Sequence, residues 1–220
     1  MPGRFSLYQD LTVEENLQFF ATVFGTTIEE NYHLIKDIYI QIEPFKTRPA
    51  GKLSGGMKQK LALCCALVHK PEILFLEEPT TGVDAVSRRE FWEMLKRLKE
   101  HGITIVVSTP YMDEAALCDR IALINKGKLL SVDTVDAINR QYPYPLFSVS
   151  GHKLNVLQAF LRQQAIVVSA YLFGQTIHVS LKENNGDEEL KRLLSSAGFA
   201  DALVEPIAAN IEDSFMILTE

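Results

Sequence analysis

Apolar residues recur every three to four positions in the first quarter of the chain, which is typical of amphipathic helices. Thr12-Val13-Glu14-Glu15 has the spacing of a capping box and predicts the start of the first helix. A second box, formed by Thr27 and Glu30, predicts another helix that ends before Pro44. Two short helices are therefore expected ahead of a polar loop over residues 46–52.

After Leu53 the pattern changes to short apolar runs that alternate with longer helical segments. Such alternation predicts a parallel sheet with helical crossovers. The expected helices cover about 56–69, 87–100 and 112–117, and the expected strands cover 73–76 and 103–107. Two further runs, 121–124 and 129–132, flank Asn125-Lys126-Gly127-Lys128 and predict a hairpin.

Tyr142-Pro143-Tyr144-Pro145 predicts a domain boundary, because two prolines in four residues interrupt both helix and sheet. Beyond it the pattern predicts the order β-α-β-β-α-β, which is the ferredoxin-like arrangement. The expected elements are strand 146–149, helix 153–163, strands 166–172 and 176–180, helix 187–197, strand 202–205 and a last short helix over 211–218. Gly174-Gln175 would turn the central hairpin, and Asn184-Asn185-Gly186-Asp187 would lead into the second helix.

Composition narrows the functional classes. The chain has 220 residues, a formal charge of −6 and a pI near 5.5, so a nucleic-acid-binding protein is not expected. The odd number of cysteines, two of them adjacent, and the scattered histidines fit neither a disulfide framework nor a zinc site. The longest apolar stretch, residues 61–68, is far shorter than the roughly 20 residues of a membrane span, and no signal peptide is expected.

Two glycines open the helix expected from about residue 56. In Leu53-Ser54-Gly55-Gly56-Met57, Gly55 and Gly56 would leave backbone N–H groups uncovered at the positive end of the helix dipole, and Ser54 would add a hydroxyl donor. Such a place suits phosphate. Loop glycines before helices are common, so Ser-Gly-Gly alone favours a purely structural turn over a phosphate site.

Two carboxylates follow the apolar run that ends at Leu76. Open α/β sheets place ligands at the carboxyl ends of their strands, where Glu77 and Glu78 would lie. In phosphoryl transfer one acid can hold Mg²⁺ through its water shell, while another orients or deprotonates the attacking water. Strand alternation predicts that the two side chains start towards opposite faces and have separate roles.

These motifs, taken in order, resemble the ATP-binding domain of ABC transporters, most closely the multidrug and drug-export type. Residues 53–60 are similar to the signature motif, 73–78 to the Walker B strand with the catalytic glutamate, 81–84 to the D-loop and 107–115 to the switch-histidine segment. The resemblance covers roughly residues 1–140. The C-terminal segment also resembles the small accessory domain that follows many exporters' ATPase domains.

The resemblance implies a head-to-tail pair of ATPase domains with ATP and Mg²⁺ between them. Glu78 would be the general base, and Glu77 would serve the metal. Asp84 would connect the two sites. The γ-phosphate of ATP held by a partner would lie against the signature segment Leu53, Ser54, Gly55, Gly56 and Met57.

The sequence departs from the family pattern in four places. No Gly-x-x-x-x-Gly-Lys-Ser/Thr occurs in it, so the simplest expectation is an N-terminally incomplete chain that binds ATP poorly alone. Gly3 stands where the family usually has Gln, and Glu77 replaces the usual Asp. Pro110 occupies the switch-histidine position and lacks both an imidazole and a backbone N–H. Gly3 and Pro110 favour a weak or non-hydrolysing own site, although neutral changes remain the alternative.

The expected architecture is an α/β, P-loop NTPase-like ABC ATPase core lacking its first strands and Walker A over residues 1–141, with a helical subdomain at 12–44. A small α+β ferredoxin-like domain would follow over 146–220. The implied function is that of the ATP-binding subunit of an exporter, peripheral at the cytoplasmic face of the membrane and partnered by permease subunits. The alternative is a non-hydrolysing regulatory or scaffold subunit. Among Phe19, Phe20 and Phe24, at least one is expected in the core.

Overall fold

The computed structural model of the chain describes residues 7–183 and 186–219. The chain divides into two compact units, Met1–Tyr111 and Met112–Glu220. Within the described ranges, no helix combines the length and the apolar composition that crossing a membrane requires.

The first unit contains four helices and a parallel strand pair among its described residues. The elements are α1 (Val13–Val23), α2 (Tyr32–Tyr39), α3 (Gly55–Leu67), β1 (Ile73–Glu77), α4 (Ala85–Glu100) and β2 (Thr104–Ser108), with 3₁₀ turns at Glu43–Phe45 and Ala50–Lys52. The predicted parallel sheet is confirmed, because β1 and β2 pair in parallel from Ile73 opposite Thr104 to Glu77 opposite Ser108.

Both predicted capping boxes form. At the start of α1, Thr12 Oγ1 accepts from Glu15 N–H (3.2 Å) and Glu15 Oε2 accepts from Thr12 N–H (2.8 Å). Glu30 and Thr27 make the same reciprocal bonds at 3.3 and 3.2 Å. The second helix begins only at Tyr32, because a turn separates it from the second box.

The helix α1 buries a different face from the one carrying its phenylalanines. Its inward residues are Val13, Asn16, Leu17 and Ala21. Phe19 and Phe24 are 37% and 51% exposed, and Phe20 is half-buried. The prediction that at least one of the three lies in the core is therefore wrong. Instead, Phe19 packs edge-on against Phe20 and against Tyr8, with ring centroids 5.4 and 4.6 Å apart.

The strand β1 is buried on one face only, although four consecutive apolar residues are typical of a strand that is buried on both faces. Leu74 and Leu76 are buried, while Ile73 and Phe75 are exposed on the opposite face. Val106 of β2 lies in register with Phe75 and is also exposed. The pair β1–β2 thus presents an apolar face to solvent.

The second unit contains a hairpin and a ferredoxin-like sheet. Its elements are α5 (Met112–Ala115), β3 (Ile121–Asn125), β4 (Lys128–Asp133), α6 (Val135–Arg140), β5 (Leu146–Ser150), α7 (Leu154–Leu161), β6 (Val167–Phe173), β7 (Thr176–Leu181), α8 (Asp187–Ser196), β8 (Leu203–Ile207) and α9 (Ile211–Leu218). The hairpin β3–β4 turns at Lys126 and Gly127, both at positive φ, as predicted. The second sheet has the order β6-β7-β5-β8 with antiparallel pairs, which confirms the ferredoxin-like topology.

The helix α6 was not predicted from the sequence. Its packing bears on the position of the boundary between the two compact units. Ile138 of α6 packs with Ile121 and Leu123 of β3 and with Ile211 of α9. This cluster ties the hairpin to the C-terminal helix, so the boundary expected between residues 141 and 146 lies inside the second compact unit. Of the turn expected at 184–187, residues 184 and 185 lie outside the described ones.

Candidate functional site

The N-terminus of α3 is exposed and capped by Ser54. Ser54 Oγ accepts from Met57 N–H at 3.3 Å, and the Ser54 carbonyl accepts from Lys58 N–H at 2.9 Å. The hydroxyl hydrogen of Ser54 stays available for donation, because the oxygen acts as acceptor in this bond. The N–H groups of Gly55 and Gly56 are in the first turn, where no preceding helical carbonyl can accept from them. This end of α3 is therefore equipped to hold an anion.

Leu53 and Met57, at the two ends of the segment 53–57, are less exposed than Ser54 and Gly55 between them. The side chain of Leu53 is 6% exposed and anchors the loop to the core. Met57 is half-buried and supplies the N–H that bonds Ser54. A contact from Leu53 to a nucleotide would therefore use its backbone, and the exposed part of the segment consists of Ser54 and Gly55.

The acids at the end of β1 lie at the carboxyl edge of the strand pair, as predicted, and both are exposed. Glu78 N–H donates to the Ser108 carbonyl at 2.9 Å, and Thr81 Oγ1–H donates to Glu78 Oε2 at 3.1 Å. Glu78 has φ +41°, an unusual value for a residue with a side chain, and such backbone conformations cluster at functional sites. Because of this left-handed φ, the strand ends at Glu77. The alternation of side chains along a strand, which predicted opposite directions for Glu77 and Glu78, therefore does not extend to Glu78.

Asp84 caps the helix that follows this loop. Its Oδ1 accepts from the N–H groups of Ser87 and Val86 at 3.0 and 3.1 Å. The Ser87 backbone bond is the main cause that lowers the pKa of Asp84 below its ordinary value of 3.8. The carboxylate expected to connect two nucleotide sites is thus also the start of α4.

The loop containing Gly82 and the helix α3 approach one another closely within the first unit. A Cβ built on Gly55 would lie 3.5 Å from the Gly82 carbonyl oxygen, and one built on Gly56 would lie 2.8 Å from Ser87 Oγ. One turn further along both helices, Lys60 Nζ lies 2.8 Å from Glu90 Oε2. The signature-like segment and the D-loop-like segment are therefore neighbours in one chain.

Several of these neighbours were missed by reasoning from the sequence. Ser87 could have been found, because Asp84 and Ser87 have the spacing of a helix cap and its first turn. The ion pair of Lys60 and Glu90 carries no local signal, since the two residues are 30 positions apart. Thr81 lies three residues after Glu78, which placed it near the site without indicating the hydroxyl bond.

The segment with the predicted switch position continues from β2. Pro110 is exposed, and Tyr111 N–H donates to Thr109 Oγ1 at 3.1 Å. The guanidinium of Arg88 lies 4.5 Å from the ring centroid of Tyr111, which holds the segment against α4. Gly3, the other expected departure, lies outside the described residues.

The described residues contain no group of three His, Cys, Asp or Glu side chains that could hold a metal ion. Mg²⁺ usually takes one or two protein carboxylates and completes its shell with water and phosphate oxygens. The exposed carboxylates of Glu77 and Glu78 match this coordination preference, and Glu77 is the predicted ligand. For ATP, the described residues supply donors for a terminal phosphate at Ser54 and Gly55.

The sequence of the chain is similar to those of known ABC transporter proteins. The family model described as "ABC transporter" matches residues 2–81. The "Probable multidrug ABC transporter ATP-binding protein YbhF" of Escherichia coli is 36% identical over 223 residues, which cover 99% of this chain and 38% of that protein. The "Nod factor export ATP-binding protein I" of Burkholderia lata is 33% identical over 218 residues, which cover 97% of this chain and 69% of that protein.

A solved structure of an ABC transporter subunit is similar to this chain in fold. The chain described as "Structure of ATP binding subunit of ABC transporter" is 28% identical, has a TM-score of 0.55, and matches 62% of this chain and 58% of its own length. The chain spans 38% of the length of the first relative above and 69% of the second. The resemblance drawn from the signature, Walker B and D-loop segments is confirmed: the chain belongs to the family of ABC transporter ATP-binding proteins.

Proposed function

We propose that the chain acts as the ATP-binding subunit of an ABC exporter, in which ATP binding and hydrolysis drive transport by separate membrane subunits. The observation that carries the proposal is the exposed, serine-capped N-terminus of α3, which offers the Ser54 hydroxyl and two glycine N–H groups to an anion from outside the chain. The names of both relatives, a multidrug and a Nod factor export ATP-binding protein, support the export role.

In this proposal Ser54, Gly55 and Gly56 bind the γ-phosphate of ATP held by a second ATPase domain. Electrostatic donors of this kind contribute most when charge develops on the phosphoryl oxygens during transfer. Since the sequence carries no Gly-x-x-x-x-Gly-Lys-Ser/Thr, the γ-phosphate would reach these donors on a partner domain that has that loop. The arrangement needs a head-to-tail pair, which is the proposed partner contact.

Glu78 is the proposed general base. Its carboxylate accepts a hydrogen bond from Thr81 Oγ1 at 3.1 Å, which orients one oxygen and leaves the other to accept a proton from water. Glu77 would hold Mg²⁺, which neutralises phosphate charge when bound. Asp84, which caps α4, would connect the two nucleotide sites through the start of that helix.

The chain's own nucleotide site is proposed to be the weaker of the pair. Pro110 carries neither an imidazole nor an N–H for the γ-phosphate, and Glu77 moves the metal-binding carboxylate outward by one methylene group. An asymmetric pair follows, in which this chain completes the site of its partner. Pro110 also favours the second candidate, a non-hydrolysing regulatory or scaffold subunit, because it removes a group that hydrolysis would use.

The proposed location is the cytoplasmic face of the cell membrane, where the chain would be held by permease subunits. The solved structure of an ATP-binding subunit of an ABC transporter supports assembly with other subunits. The helices α1 and α2 are the proposed contact with the permease. The exposed apolar residues on these helices and at their C-terminal ends are Phe19, Val23, Phe24 and Ile40.

The test measures ATP turnover of the full-length gene product alone and in its complex with permease and partner domain, purified from cells that produce it. An exporter subunit predicts low turnover alone, high turnover in the complex, and a loss of turnover with Ser54→Arg. Glu78→Gln lowers turnover of the complex if the chain hydrolyses ATP and leaves it unchanged if the chain is a scaffold. Glu93→Gln, an exposed change on α4, is the matched control. Rapid turnover by the isolated protein would contradict the asymmetric pair.

A further inference from the structure

The two glycines at the start of α3 have different surroundings. Among the residues that the structure describes, a Cβ on Gly55 would meet only the Gly82 carbonyl oxygen, at an ordinary contact distance of 3.5 Å. A Cβ on Gly56 would lie 2.8 Å from Ser87 Oγ and 3.0 Å from Ser87 Cβ. A methyl group therefore fits at Gly55, whereas at Gly56 it requires Ser87 to move.

Ser87 cannot give way by rotating its hydroxyl, because its Cβ, which is fixed by the backbone, is also too close. That backbone is held in place, since Ser87 N–H donates to Asp84 Oδ1 at 3.0 Å in the first turn of α4. One turn further along the same two helices, Lys60 Nζ on α3 lies 2.8 Å from Glu90 Oε2 on α4. An added methyl group at Gly56 therefore requires α3 and α4 to separate slightly at this point.

We infer that Gly56 and Ser87 form a positioning contact that sets the distance between the signature-like segment and the loop 78–84. Gly56 is a glycine because Ser87 lies against it, and Gly55 is the glycine left clear for the phosphate. The inference rests on the proposed function for its catalytic consequence. The contact itself is a property of this chain alone.

The test combines two measurements on four variants: Gly55→Ala, Gly56→Ala, Ser87→Gly and the double variant Gly56→Ala/Ser87→Gly. The first measurement is the equilibrium unfolding of this chain in urea, followed by the fluorescence of Trp92, the sole tryptophan. The second is ATP turnover of the full-length protein in its complex. Alanine has the better helix propensity, so any loss of stability in Gly56→Ala reports the steric contact.

The expected pattern is a rescue. Gly56→Ala shifts the unfolding equilibrium by about tenfold or more towards the unfolded state and lowers turnover, as overpacking does. Adding Ser87→Gly removes both atoms that clash, so the double variant is more stable and more active than Gly56→Ala alone, with a coupling that additive effects cannot give. Gly55→Ala lowers turnover without lowering stability.

Two outcomes would overturn the inference. In one, Gly56→Ala leaves unfolding unchanged; in the other, Ser87→Gly fails to restore stability and turnover, which would leave the phosphate as the reason for glycine at position 56. Failure of the proposed function is distinguishable, because the wild-type complex itself would then show no ATP turnover. The unfolding measurement would still decide whether Gly56 and Ser87 are coupled.

Discussion

Replacing Asn16 with alanine should destabilise the first unit more than any exposed change on α1. The Asn16 side chain is fully buried. Its Nδ2 donates to the carbonyls of Thr12, Tyr8 and Leu11 at 2.9, 3.0 and 3.1 Å, and its Oδ1 accepts from Tyr8 N–H at 2.9 Å. One amide group thus fastens the segment before α1 to the helix.

The expected magnitude follows from these bonds. Two amide hydrogens shared among three carbonyls, and one accepted bond, correspond to about three full hydrogen bonds at about 1 kcal/mol each. Alanine also leaves buried backbone groups without a partner. The free energy of unfolding should therefore fall by about 2–4 kcal/mol. Asn16→Asp should cost at least as much, because a carboxylate retains the acceptor for Tyr8 and faces three carbonyl oxygens without donors.

The assay is urea unfolding followed by Trp92 fluorescence. Trp92 is the sole tryptophan, is 6% exposed and lies on α4, so its emission reports the first unit. Gln18→Ala on the exposed side of α1 is the matched control, and its effect should stay within about 0.5 kcal/mol. A loss below about 1 kcal/mol for Asn16→Ala would refute the reasoning that these bonds hold the segment.

Three further predictions concern other parts of the chain. Leu157→Ala, in the core of the ferredoxin-like sheet, should cost about 2–5 kcal/mol; hydrogen exchange should show the loss in β5–β8, and an unchanged rate there would contradict it. The bond from Ser87 N–H lowers the pKa of Asp84, so the ionised Asp84 contributes to stability above its ordinary pKa of 3.8, and this contribution is lost as pH falls through the lower folded value. The free energy of unfolding, measured from pH 6 downward, should therefore fall less steeply with pH in Asp84→Asn than in the wild type. Equal slopes in the two proteins would contradict this prediction. Burial raises the pKa of all three thiols, so native protein at pH 8 should react with a thiol reagent slowly and only at the half-buried Cys118. Fast labelling of all three cysteines would contradict this prediction, because it would show that the buried surroundings of Cys64 and Cys65 on α3 open to solvent.

Features set by short spacing were predictable from the sequence. The boxes at Thr12 and Thr27, the Lys126–Gly127 turn and the strand order of the ferredoxin-like sheet depend on residues close in sequence or on regular periodicity. The segments at Ser54 and Glu78 were recognised for the same reason, since their glycines and acids adjoin a helix start and a strand end. Both Ser54 and Glu78 lie at exposed positions.

Features set by packing were not predictable. The approach of Ser87 to Gly56 depends on the crossing of two helices, and the burial of Asn16 depends on the path of the preceding loop. The exposure of Phe19 and its neighbours was missed because composition does not say which side of a helix finds a partner. The helix α6 is six residues long, too short for periodicity to mark it.

One experiment asks whether the signature-like segment of this chain contacts a nucleotide held by another domain. Vanadate, which mimics the transferring phosphoryl group and is bound as a transition-state analogue, would be trapped with nucleotide in the complex of the full-length protein with its partner. Ultraviolet light then cleaves the polypeptide adjacent to the trapped vanadate. The proposed pairing predicts cleavage of this chain at Ser54. Trapping that leaves Ser54 uncleaved, while another segment is cut, would contradict it.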